Sequence, residues 1–167
     1  MNPLMRGFDY RCEIILPSGE IITSSDHNLM PQEGVDFFAS LFLGDGATPN
    51  ANWYMGLFEN NYVPTLATKA ADLPGVVGEC TAYAQAARPA WQGVYDGVSV
   101  ISNLNNKTKF TLSADKTIYG GFIVSSSAKA GGGGVLVSIA RFASPKILPA
   151  GTTFSVVSEL PLIPTDF

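Results

Sequence analysis

The stretch TIYGGFIVSSSAKAGGGGVLVSIARF, Thr117 to Phe142, decides the fold: two apolar runs of strand character joined by a small, polar, glycine-rich segment. At period two, Ile118, Gly120, Phe122 and Val124 share one face and Tyr119, Gly121 and Ile123 the other, so neither face is patterned for water. The returning run sets Val135, Val137 and Ile139 against Leu136, Ser138, Ala140 and Phe142, again apolar on both sides. Such a pair belongs in the middle of a doubly covered sheet, the environment a β-sandwich supplies. Gly120 and Gly121 weaken a strand unless they mark a bulge or let a neighbour pack closely on the backbone. The run Gly131 to Gly134 lacks the Lys, the Ser or Thr and the helix start that a phosphate loop needs, since Val135 and Leu136 follow. It is expected to be a flexible, poorly ordered hairpin connection.

Working outward, Tyr10 to Leu16 reads as a strand, Pro17-Ser18-Gly19 as a tight turn and Glu20 to Thr23 as the return. Trp53 to Glu59, Val76 to Gln85, Val98 to Ser102, Thr108 to Leu112 and Thr152 to Glu159 read as further strands. Phe110 and Leu112 point inward, with Lys109 and Thr111 opposite. Arg88-Pro89-Ala90-Trp91 is expected to be a loop or edge segment, because proline cannot donate to a central ladder. Leu66 to Leu73 is expected to form a short helical turn that Pro74-Gly75 breaks.

One helix is expected, over Pro31 to Leu43. Val35, Phe38, Ala39 and Phe42 recur at helical spacing, Glu33 and Asp36 favour its start and Gly44 ends it. Those four residues are assigned to the sheet-facing side, which leaves Phe37 and Leu41 as a second stripe to be covered by another subunit. The fold expected is mainly all-β, a β-sandwich or jelly-roll-like domain with one amphipathic helix packed on it. A single domain spans 1–167, with extended arms at 1–8 and 160–167 whose prolines keep them out of interior strands. The arms carry Leu4, Met5, Phe8, Leu162, Ile163 and Phe167, apolar residues expected to order against a partner.

Composition narrows function. Hydrophobic residues make up 46% and charged residues 14%, a surface light in charge that neighbouring subunits often cover. A net charge of -4 without clustered Lys or Arg argues against nucleic acid. No run suits a membrane span, and the start lacks the apolar core of a signal peptide, so a product made in the host cytoplasm is expected. Cys12 and Cys80 sit in no metal or redox pattern and are expected to be buried free thiols, with no cofactor or metal. His27 lies beside Asp26 and near Ser24 and Ser25, but triad members converge from separate elements, so Asp26, His27 and Asn28 are read as a polar loop capping the helix. No catalytic residue is assigned and the chain is not expected to be an enzyme. Among the aromatic residues, Trp91 and Tyr95 are the best exposed candidates for stacking on a sugar ring.

Taken together, WYMGLFENNYVPT, CTAYAQAARPAWQ, TIYGGFIVSSS, VLVSIARFASPKILPAGTTFSVV and ELPLIP resemble small virion structural proteins of tailed bacteriophages, over roughly Trp53 to Pro164. The chain is most similar to the cement or head-decoration proteins of short-tailed phages. That resemblance implies a non-enzymatic protein that binds the outside of the capsid and bridges major capsid protein subunits; the second helix stripe, Phe37 and Leu41, adds the expectation of a homo-dimer or homo-trimer. The alternative is a tail- or fibre-associated module that binds host-surface glycans.

Overall fold

A computed structural model describes residues 7–162. The strands are β1 (Asp9–Ile15), β2 (Ile21–His27), β3 (Trp53–Phe58), β4 (Glu79–Cys80), β5 (Ala90–Trp91), β6 (Val94–Tyr95), β7 (Val100–Ser102), β8 (Thr108–Thr111), β9 (Lys116–Val124), β10 (Leu136–Leu148) and β11 (Thr153–Pro161). They form two antiparallel sheets. The first runs β2-β1-β11-β7-β6, with β8 pairing the first half of β11 and β7 its last residues. The second runs β10-β9-β3-β4, with β5 also on β3. The fold is therefore the expected mainly-β, sandwich-like one, with helix α1 (Gln32–Leu43) packed on it.

The decisive hairpin is β9 and β10, and its double burial is observed. One face of the second sheet meets the first sheet through Met55, Leu57, Ile123, Val137 and Phe142 against Tyr10, Ile14, Phe110 and Phe154. The other face carries Phe58, Phe122, Val124, Leu136 and Ile139, covered by Ala70, Leu73 and Val77. Burying one such side chain is worth about 1.5–3 kcal/mol, so the two clusters supply the main driving force. At the side of the sandwich Leu29 exchanges both backbone hydrogen bonds with Ile139, at 2.9 and 3.1 Å, which covers part of the β10 edge.

The glycines of the central strands are explained by cross-strand pairing. Phe122 lies opposite Gly56 and Phe58 opposite Gly120 in the β3–β9 register. A Cβ on Gly56 would sit 2.1 Å from Phe122 Cζ, and one on Gly120 would sit 2.3 Å from Phe58 Cζ. Each ring thus lies over the bare backbone of the neighbouring strand, the close approach anticipated for Gly120. The segments Gly-Leu-Phe in β3 and Gly-Gly-Phe in β9 are one motif used twice, antiparallel to itself.

The helix has the expected extent and ends at Gly44, whose φ of 67° is the left-handed geometry glycine adopts freely. Its inward face is the expected one only at Phe38, while Ala39 and Phe42 are exposed. Gly34 is its buried residue, and an added Cβ there would lie 2.9 Å from Val137 Cα, so the axis comes closest to β10 at this position. Phe37, Phe38 and Leu41, three, four and seven residues on, follow Gly34 onto the sheet side. Counting apolar side chains from Val35 missed this because the contact residue has no side chain. Phe42 and Leu43 consequently stand 90% and 73% exposed. Glu33 does more than favour the helix start, since its Oε2 accepts the N–H groups of Leu136 at 2.8 Å and Ala70 at 2.9 Å and so joins helix, strand and the 70–77 turn.

Other expectations need correction. Asp26 and His27 end β2, and Asp26 accepts the Ala143 N–H at 2.7 Å, so Asp26, His27 and Asn28 serve the sheet; the helix N-cap is Pro31, with no side-chain cap. Pro74-Gly75 does not stop the helical turn, because a single π-turn over Leu73–Val77 places proline at its start, where no N–H is required. Val76 to Gln85 yields only the two-residue β4, since the chain turns away after Cys80. Leu160 and Pro161 continue β11 against Ile101 and Val100, so the arm proposed from residue 160 belongs, through Pro161, to the domain itself. Proline is tolerated there as the last residue of the strand.

Candidate functional surfaces

The expected interface residues scatter. Phe8 is 2% exposed, with its ring edge against Trp91 at 5.8 Å, so it is a core residue and not part of an arm. Phe37 packs on Trp53 at 5.6 Å and on Phe38 at 5.8 Å, so it is covered by its own domain, and Leu41 is half-buried on the same face. Leu162 is exposed, with its N–H bonded to Ser99 O at 2.5 Å. Leu4, Met5, Ile163 and Phe167 lie outside the described residues.

The two stacking candidates part company. Trp91 pairs with Trp53 in the β3–β5 register and its ring is covered by Gly93, where a Cβ would meet it at 2.3 Å. With Phe8 also edge-on to it and the residue half-buried, this ring offers less to a sugar than an exposed one. Tyr95 is 52% exposed on the edge strand β6, beside Val94. The turn that follows is held by Asp96, whose Oδ1 accepts the N–H groups of Val98, Ser99 and Val100 at 2.8, 2.8 and 3.0 Å. Those three bonds favour the carboxylate and hold its pKa below the usual value. A rigid hairpin therefore presents Val94, Tyr95 and Val98.

The strongest charge arrangement is internal. Arg88 and Glu79 are both fully buried and form a bidentate pair, Nε to Oε1 at 2.8 Å and Nη2 to Oε2 at 2.7 Å. Arg88 also donates to Ser126 O at 3.0 Å and Gly131 O at 2.7 Å, while Glu79 accepts the Ala130 N–H at 2.9 Å. The guanidinium lies 5.3 Å from the centre of the Phe122 ring. These contacts tie the glycine-rich loop to the second sheet, so the expected flexible connection is instead anchored at Ala130 and Gly131. The clue in the sequence was a carboxylate in the apolar run VVGEC and an arginine in QAARPAW, charges that apolar neighbours bury only as a pair.

Cys12 and Cys80 are free and buried, as expected. Burial pushes the Cys12 thiol up to about 12, with Asp26 adding to the shift, and burial likewise raises Cys80. The nucleophilic thiolate is thus suppressed at neutral pH. We expect neither thiol to react with an aromatic disulfide reagent in the native protein and both to react once it is unfolded in urea. Rapid labelling of one thiol under native conditions would contradict the packing described.

On the outer face of the first sheet, Arg11 and Glu13 project from β1 beside Thr23 and Ser25 of β2 and Val157 of β11. Arg11 pairs with Glu159, and Lys107 with Glu13 at 3.2 Å. No family model, curated protein or solved structure matches this chain.

Proposed function

We propose that this chain is a non-enzymatic virion structural protein, a cement or decoration protein that binds the outside of a bacteriophage capsid, bridges major capsid protein subunits and acts there as a homo-dimer or homo-trimer. Two things support it: the sequence resemblance over Trp53 to Pro164, and the exposed apolar end of the helix. The observation that carries most weight is the helix end. Phe42 and Leu43 stand 90% and 73% exposed, immediately before Gly44 ends the helix. With the exposed Ala39 they make a short apolar stripe towards the C-terminal end of the helix. Large apolar side chains grouped on a rigid element are the usual core of a protein interface. This stripe replaces Phe37 and Leu41 as the surface offered to a partner.

The test is to replace both residues, Phe42→Ser with Leu43→Ser. Exposed positions contribute little to folding, so the unfolding free energy is expected to stay within about 0.5 kcal/mol of the parent. Binding to capsids depleted of this protein should weaken by about tenfold or more, as for loss of an interface anchor. Antibody label on virions should cover the head. Label confined to the tail, or full binding by the double variant, overturns the proposal.

A further inference from the structure

We infer that the inward face of the first sheet, at its β6 end, is the docking surface for the chain's own N-terminal segment, residues 1–6. The strand register builds this face. Leu160 of β11 stands opposite Ile101 of β7, and Ile101 opposite Tyr95 of β6. All three fall on the side of the sheet that carries Tyr10 and Ile14, because Leu160 is two residues on from Ser158, the partner of Tyr10. Cover runs out along the row. Leu160 packs on the main core and Ile101 is half-buried, but Tyr95 is 52% exposed, and Leu162, on the same side as Leu160, is 47% exposed. Glu159 and Ser102 alternate to the other side, so the row is apolar apart from the phenol hydroxyl. Apolar side chains grouped in this way on fixed strands make a surface that an apolar segment covers favourably.

The place where the chain enters the domain selects the occupant. Phe8 is buried against the Trp91 ring one residue before β1 begins, so residues 1–6, MNPLMR, are tethered at this end of the sheet. From β1 to β6 the order β1-β11-β7-β6 makes three strand spacings, about 14 Å. At about 3.4 Å per extended residue, Leu4 and Met5 lie about 14 and 10 Å of chain from Phe8, which matches the distances to the strands of Tyr95 and Ile101. Charge separates this segment from the one that follows Leu162. Asp96, next to Tyr95, keeps an ionised carboxylate and has no ion-pair partner among the described residues. Arg6 brings the opposite charge, whereas residues 163–167, IPTDF, bring only Asp166. The three N–H bonds to Asp96 also fix the hairpin that carries Tyr95, so the surface is formed before the segment settles on it.

The occupant is the chain itself, so the inference does not depend on the capsid proposal and its test uses the isolated full chain in solution. Nuclear Overhauser contacts are expected between the methyl groups of Leu4 and Met5 and the side chains of Tyr95, Ile101 and Leu162. Leu4→Ser with Met5→Ser should erase them and speed hydrogen exchange at the amides of Tyr95 and Ile101. Tyr95→Ser with Ile101→Ser should increase the fast backbone motion of residues 3–6, and Arg6→Gln should weaken the contacts at low salt. A mixture of isotope-labelled and unlabelled chains reads whether any contact crosses between copies. The inference is overturned if residues 3–6 make no contact with Tyr95 or Ile101, if the contacts arise only between copies, if Ile163 or Phe167 makes them instead, or if both double variants leave exchange and backbone motion unchanged.

Discussion

Replacing Arg88 by methionine is expected to destabilise the protein by about 3–5 kcal/mol, a large share of the roughly 5–15 kcal/mol that holds a domain together. Methionine approximates the length of the arginine stem but leaves the Glu79 carboxylate fully buried, with the Ala130 N–H as its remaining hydrogen-bond partner. It also frees the carbonyls of Ser126 and Gly131, which lose the guanidinium donors. An uncompensated buried charge is the dominant penalty, because its lost hydration is no longer offset by the pair. Removing both charges, Arg88→Met with Glu79→Leu, should therefore harm less than the two single changes added together. Urea unfolding of the four proteins forms a double-mutant cycle that reads the coupling directly. Hydrogen exchange supplies a second readout, since amides from Ser125 to Gly134 should exchange faster in Arg88→Met than in the parent. An Arg88→Met protein within 1 kcal/mol of the parent, with unchanged exchange in the loop, would show that the pair does not anchor it.

That pair also marks where sequence and structure diverge. The Thr117 to Phe142 hairpin was legible because double burial leaves an apolar signature on both parities of a strand, and the alternation of Phe110 and Leu112 with Lys109 and Thr111 was legible for the same reason. The helix was legible in its ends, through Pro31 and Gly44, and illegible in its orientation. A helix packs closest where it has least side chain, so Gly34 sets the contact face while contributing nothing to an apolar count. Arg88 read as loop because pairing with Glu79, nine residues earlier, is a property of the fold and not of either residue's neighbours. The ion pairs on the outer face of the first sheet were illegible for a related reason. Arg11, Glu13, Lys107 and Glu159 are spread along the chain, and only the β1–β11 register brings Arg11 and Glu159 onto adjoining strands of one face. Tyr95 could be singled out by its place before Asp96-Gly97, whereas Trp91 could not be dismissed without seeing Gly93 over its ring.

The second large effect is expected at Gly120, where substitution by alanine should destabilise by about 3 kcal/mol, at the upper end of what overpacking a core does. The added methyl would lie 2.1 Å from the Ala140 carbonyl oxygen as well as 2.3 Å from Phe58 Cζ. The ring can give way by changing rotamer, but the carbonyl belongs to β10, the strand hydrogen-bonded to β9, and moves only if the ladder opens. Gly56 offers the contrast, because its three nearest neighbours are all atoms of the Phe122 ring. Trimming the ring should accordingly rescue one position and not the other. Phe122→Leu is expected to recover most of the clash introduced by Gly56→Ala, whereas Phe58→Leu should recover only part of that introduced by Gly120→Ala. Gly133 is the control: nothing lies within 4 Å of an added Cβ and its φ is not in the left-handed range, so Gly133→Ala should change stability by less than about 1 kcal/mol in either direction. Urea midpoints for the single and paired variants decide the matter. Equal rescue at the two positions would mean that the aromatic rings, and not the approach of β10 to β9, are what require glycine in the central strand.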